Sequence, residues 1–189
     1  MIKELIEKAI EARGSLQKPE NGLRILPATP MDRGVPTLMR GEYRPFAPVP
    51  PRFNESAQLR ERFELFGRWE TATHGHWLGL DDMEALWKDA VDDEFLERIK
   101  SNRVAAEENW PNEASALFRP ERLSLFACSD LTNEKIYLLW LDFEDEPELW
   151  VYDSNGESRY KHLAEYLTAY LADDVSAAGR AWRLAAPRW

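Results

Sequence analysis

Residues 123–171 read LSLFACSDLTNEKIYLLWLDFEDEPELWVYDSNGESRYKHLAEYLTAYL, and this stretch decides the fold class. In KIYLLWLDF, residues 135–143, Tyr137, Leu139, Leu141 and Phe143 share one face while Ile136, Leu138 and Trp140 share the other. Side chains alternate across a strand, so a segment apolar on both faces is covered on both sides. This predicts a central strand. Residues 123–128 fit a neighbour joined through SDLTNE, a loop of turn formers. Residues 149–153 fit a second neighbour beyond EDEPE, where Pro147 cannot donate to a ladder. Asn155-Gly156 marks a turn, after which Ser158 is placed to cap a helix with Leu163, Tyr166, Leu167, Tyr170 and Leu171 on one stripe. Strands in succession closed by a helix predict a single α+β domain: a mainly antiparallel twisted sheet with helices packed around it.

Outward from this centre, Ile2, Leu5, Ile6, Ala9 and Ile10 predict an amphipathic helix over 2–13, with Gly14 as a stop. Residues 19–51 hold eight of the twelve prolines and predict an extended arm, with a short strand near Leu23–Leu26. A helix after Asn54 carries Leu59, Phe63, Phe66 and Trp69. THGHWLGL interrupts it, and DDMEALWKDAV restarts helix with Asp81 or Asp82 as cap and Met83, Leu86, Trp87 and Ala90 inward. Asp92 or Asp93 caps a further helix carrying Phe95, Leu96 and Ile99. Residues 175–189 read as a basic tail.

Charge narrows the function classes. The chain of 189 residues has a formal net charge of −10. Residues 1–70 balance at +2 and residues 71–189 at −12. Such a field repels phosphate backbones and attracts basic proteins, which speaks against nucleic acid as a partner. The amino terminus has carboxylates where a signal peptide has a basic end, and the longest apolar run, IYLLWL, is far short of a membrane span. A cytoplasmic chain with no membrane partner is expected. The lone Cys128 excludes an intrachain disulfide and reads as a small buried residue.

Few residues suggest chemistry. His74 and His76 are the one close histidine pair, with Asp81 and Asp82 downstream; a zinc site needs further ligands, so no metal and no cofactor are expected. Cys128 and His162 could be named nucleophile and base only on very weak grounds. No glycine-rich phosphate loop or nucleophile elbow occurs. The expected site is a partner-binding surface: Asp142, Glu144, Asp145, Glu146 and Glu148 rimming Trp150 and Tyr152, with Trp77, Asp81 and Asp82 from the upstream stretch. Aromatic anchors ringed by charge have the composition of binding hot spots, although they equally suit core beneath the proline-rich arm.

The run from LSLFACSD through the long apolar strand and WVYD to AEYLTAYL resembles the SUKH superfamily, which includes Smi/Knr-type proteins. WLGLDDMEAL is similar to that family's leucine-rich link ahead of a helix. The resemblance covers about half the chain. It implies a twisted sheet with helices, and a bacterial immunity protein, not an enzyme, that neutralises a cognate toxin, often a nuclease or deaminase, by direct binding. A basic toxin would complement an acidic surface. The fungal relatives imply an alternative, a regulatory or scaffold module, and the histidine pair leaves a metal-dependent hydrolase as a third reading.

Overall fold

The computed structural model describes residues 2–16, 24–28, 56–86, 93–107, 123–141, 144–154 and 156–174. Most of the proline-rich arm, the tail from 175, and the single positions Trp87, Ala90, Asp142 and Phe143 lie outside them. The described elements are α1 (Ile2–Leu16), α2 (Ala57–Leu65), β1 (His76–Trp77), α3 (Leu80–Ala85), α4 (Glu94–Glu107), β2 (Leu123–Cys128), β3 (Lys135–Leu139), β4 (Glu148–Asp153), β5 (Gly156–Tyr160) and α5 (Leu163–Leu171). The strands form one antiparallel sheet in the order β1-β2-β3-β4-β5. The fold is α+β, and β3 is its central strand with all five residues buried.

Register sorts the sheet into two faces. Ile136 pairs with Val151, Leu138 with Leu149, and Leu149 with Tyr160. The Tyr160 ring meets Tyr166 of α5 at 5.4 Å between centroids, so this face lies under the helices. α5 packs mainly on α1, and α1 on α2. Ile2, Ile6 and Ala9 of α1, Leu59 and Phe63 of α2, and Leu163, Tyr166 and Leu167 of α5 are buried there. The opposite face carries Lys135, Tyr137, Leu139, Glu148, Trp150, Tyr152, Glu157 and Arg159. All but the half-buried Tyr152 are buried as well.

Several elements depart from the sequence reading. Gly14 does not stop α1, which runs on to Leu16. One glycine costs a helix only about 1 kcal/mol, less than the packing of the stripe that surrounds it. Ser158 caps no helix: it lies buried inside β5, paired with Val151. The cap of α5 is His162, whose Nδ1 accepts the Glu165 N–H at 3.2 Å. Asp153 pairs with Gly156 at the end of the β4–β5 ladder, and so the chain turns back as a strand before it turns into a helix. α3 is capped by neither Asp81 nor Asp82; Gly79 is its N-cap, and Asp82 in the first turn accepts the Gly79 N–H at 2.9 Å. Asp93 does cap α4, accepting the Phe95 N–H at 2.9 Å.

Two glycines give opposite expected outcomes. Gly75 has φ +84, and a Cβ there would lie 2.6 Å from the carbonyl carbon of Cys128 and from the Ser129 nitrogen. The 71–77 loop can approach β2 only because that atom is missing. Gly75→Ala is expected to cost about 2 kcal/mol, from strained backbone plus displaced packing. Gly14 has nothing within 4 Å of its missing Cβ. Gly14→Ala is expected to add about 0.5–1 kcal/mol. Urea denaturation of the two variants measures both signs.

Candidate protein-binding surfaces

The ten residues expected to form one acidic, aromatic surface meet different fates. Trp77 is fully buried, its indole N–H donating to Thr73 Oγ1 at 2.8 Å and its ring tilted against Phe126 with centroids 4.8 Å apart. Trp150 is 5% exposed, opposite Tyr137 and Arg159. Both tryptophans are therefore core, out of reach of a partner. Glu148 is buried and takes the Arg159 Nε–H at 2.9 Å as well as its Nη2. Burial pushes the Glu148 carboxyl up, Arg159 pulls against this, and Glu144 and Glu165 push it further up. Asp82 is buried in a two-pronged pair with Arg68, at 2.6 and 3.1 Å. A carboxylate so placed is held in by its cation, since an unpaired one would bear the full desolvation cost.

Glu146 is half-buried and also occupied. Its carboxylate accepts the Ser56 hydroxyl at 2.6 Å and the Gln58 N–H at 3.1 Å, and so closes the start of α2 from a distant part of the chain. Glu144, Asp145 and Asp81 are exposed and Tyr152 is half-buried. They do not converge. Glu146 ties its loop to the first turn of α2, whereas Leu78, just ahead of Asp81, receives a hydrogen bond from Arg62 near the other end of that helix. Nine helical residues separate those ends by about 13 Å.

The histidine pair is divided between two networks. The Thr71 N–H donates to His76 Nδ1 at 2.9 Å, which places the ring proton on Nε2, where it meets Asp130 Oδ1 at 2.8 Å. His74 Nδ1 lies 2.7 Å from the Tyr166 hydroxyl, and its Nε2 lies 3.4 Å from Asp153. Among the described residues no three His, Cys, Asp or Glu side chains are grouped to hold a metal. Cys128 is buried with its thiol donating to the Ser129 carbonyl, while His162 caps α5.

One surface was missed in the sequence. An open groove of about 500 Å³ runs between the first turns of α4 and the β2–β3 loop, lined by Glu94, Glu97, Arg98, Ser101 and Asp130. Arg98 reaches Asp130 at 3.2 Å and Glu94 at 3.3 Å. Burial raises the Asp130 carboxyl, but its bonds to His76 and Arg98 outweigh this and hold it below the usual carboxylate range. Leu131 follows at once. It is 83% exposed, the only large apolar side chain so exposed among the described residues. Ser129 Oγ accepts the Leu131 and Thr132 N–H groups at 3.1 and 3.0 Å, and the Ser129 N–H donates to the Glu134 carbonyl. A leucine inside the polar run SDLTNE, two residues after a serine that can fold the turn, was the available signal.

This loop precedes β3 and the Glu144–Asp145 loop follows it, so the two surfaces stand at opposite ends of a strand about 14 Å long. The class defined here is an α+β fold, an open five-stranded antiparallel sheet with helices packed on it, and its described residues carry two separate acidic surfaces. No protein family, no curated protein and no solved structure matches the chain. No helix among the described residues is long and apolar enough to cross a membrane.

Proposed function

We propose that this chain is a non-catalytic, immunity-type protein that binds a cognate basic toxin domain and blocks it. The observation that carries the reading is where the charge goes. The buried ionisable residues include four cations (Arg62, Arg68, Lys135 and Arg159) and four carboxylates (Asp82, Glu148, Asp153 and Glu157). These cancel, so the net charge of −10 belongs to the rest of the chain. Outward negative charge accelerates capture of a positive partner and matches the cleft of an enzyme that handles nucleic acid. The sequence resemblance to SUKH immunity proteins supports the same reading. The groove beside Leu131 is the better contact of the two, because it joins carboxylates to an apolar anchor already held in shape.

Glu146 and Glu148 are unsuited to a test by charge reversal, since both hold the fold. Co-expression with the product of the adjacent gene is the direct experiment, read as rescue of growth and as a stable complex. Leu131→Asp is expected to weaken that complex at least about tenfold, on the scale of a hot-spot anchor. Paired Glu144→Lys and Asp145→Lys substitutions are expected to slow association at low salt with little change in dissociation. An adjacent product that neither harms growth nor binds would end the immunity reading. Binding indifferent to salt and to all three substitutions would remove both acidic surfaces.

A further inference from the structure

The sheet does not end at β1. Trp69 pairs with Trp77 through reciprocal backbone bonds at 2.9 Å, and Ile25 pairs with Trp69 from the other side. Residues 67–70 therefore run along the outside of β1, and residues 24–26 run along the outside of them. Trp69 gives its own peptide groups to β1, and those of Gly67, Arg68 and Glu70 serve the outer segment. The Leu26 N–H donates to the Arg68 carbonyl at 2.8 Å, the Gly67 N–H to the Leu26 carbonyl at 2.9 Å and the Glu70 N–H to the Arg24 carbonyl at 2.9 Å. Gly67 shapes the place. A Cβ on it would lie 2.4 Å from the Pro27 carbonyl oxygen, and its three nearest atoms would all belong to Leu26 and Pro27.

The resident segment fills this place imperfectly. Arg24 and Pro27 are exposed, and Ile25 and Leu26 are only half-buried. Two buried polar atoms of the receiving strand stay unmatched among the described residues. The fully buried Trp69 finds no acceptor for its indole N–H. Glu70 Oε1 is buried without a hydrogen bond, with Arg24 and Arg68 at ion-pair distances of 3.4 and 3.5 Å. Buried groups left unpaired are destabilising, so residues 67–70 are not satisfied by what now lies on them.

We infer that the outer edge of residues 67–70 is a slot for one extended segment of a protein partner, added as a strand with a basic residue beside Glu70 and an apolar one beside Trp69. Residues 24–27 fill the slot from within the chain until such a segment replaces them. Strand addition draws affinity from main-chain bonds and selectivity from alternate side chains. The resident segment displays both requirements: Arg24 reaches Glu70 at 3.4 Å, and Ile25 stands opposite Trp69. At the far end Gly67 admits only peptide backbone. Replacement is a competition, because the resident segment weakens the apparent affinity of an incoming one by the fraction of molecules whose slot is free.

The test uses a synthetic peptide with the sequence of residues 22–28, GLRILPA, titrated into the full chain. Binding is read from the amide resonances of Gly67, Arg68, Trp69 and Glu70. In Leu26→Pro the resident segment loses the N–H that bonds Arg68, which frees the slot and leaves its own residues untouched. Leu26→Pro is expected to bind the peptide at least about fivefold more tightly than the wild-type chain. An Arg24→Glu peptide is expected to bind about fivefold more weakly than the parent peptide. Gly67→Ala is expected to bind neither, since its Cβ stands where the ligand backbone runs. Leu26→Pro amides unmoved by millimolar peptide, or a Gly67→Ala chain that takes the peptide as the wild type does, would overturn the inference. Should Leu26→Pro fail to fold or associate with itself, the wild-type and Gly67→Ala titrations decide alone, and equal responses in the two would overturn it.

Discussion

Arg62→Ala is expected to lower the free energy of unfolding by about 4 kcal/mol, among the largest losses any single residue here can produce. The guanidinium is completely buried. It donates to three backbone carbonyls, those of Phe66 at 2.7 Å, Gly67 at 2.8 Å and Leu78 at 2.9 Å. Those carbonyls belong to the chain as it leaves α2 and to the residue after β1, so one side chain pins the helix exit to the sheet. Aromatic rings enclose the charge, with Phe66 at 4.3 Å and Phe63 at 4.7 Å. Burial pulls the guanidinium down to about 9, against the opposing field of Asp82. It remains charged at neutral pH. Alanine would leave three carbonyls without a donor and a cavity among rings, and each buried orphan costs about 1–3 kcal/mol. Arg62→Lys keeps the charge but loses the planar fork, and is expected to lose more than half as much. Urea denaturation measures both, and a loss below about 1 kcal/mol for alanine would show that the turn holds without these bonds.

Arg68→Ala is expected to cost about 3 kcal/mol, by a different route. Arg68 meets Asp82 with two prongs, Asp93 at 3.0 Å and Glu70 at 3.5 Å, while its guanidinium stacks over Phe95 at 4.3 Å. Burial alone would depress the Arg68 guanidinium, but Asp82 and Asp93 overcome this and leave it raised. Without it, three carboxylates would face one another, with Asp82 buried. Arg68→Ala combined with Asp82→Asn is therefore expected to recover part of the loss. The pH dependence has a definite sign. Burial raises the Asp93 carboxyl, but Arg68 and the amides of α4 outweigh this and hold it below its ordinary value of 3.8. Stability from that pair is present above 3.8 and lost as pH falls below it. The penalty of Arg68→Ala should shrink in acid, and a penalty that stays constant from pH 7 to pH 3 would dismiss the electrostatic account.

The sheet was readable where apolar residues run without a break. Residues 135–139 announced a strand covered on both faces, and LSLFAC its neighbour, because burial on two sides demands that composition. β5 was not readable. GESRY looks like solvent-facing loop, yet Glu157, Ser158 and Arg159 are buried, with Arg159 drawn in by Glu148 across the ladder. The same blindness joined into one expected surface residues that the fold separates. A carboxylate carries no mark of its partner when that partner is distant in sequence, as Arg68 is from Asp82 or Ser56 from Glu146. Read locally, residues 142–148 formed one acidic face. In three dimensions Glu146 and Glu148 are structural cement, and among the described members of the run only Glu144 and Asp145 are exposed. Trp77 and Trp150 failed similarly, since an aromatic beside charge looks alike in sequence whether its ring faces a partner or the interior.

Ile25 bridges to Trp69, which in turn bridges to Trp77 of β1. The backbone hydrogen bonds Leu26 N–H to Arg68, Gly67 N–H to Leu26 and Glu70 N–H to Arg24 complete the seam at 2.8–2.9 Å. A short piece of the chain's first quarter thus serves as a selvedge on the open margin of the sheet. Cut away by proteolysis or by careless trimming, it would leave bare peptide groups beside two tryptophans, an adhesive hem on which one molecule could stitch to the next. Resistance to edge-to-edge association is therefore expected to depend on Arg24, Ile25 and Leu26, a segment distant in sequence from the strands it borders.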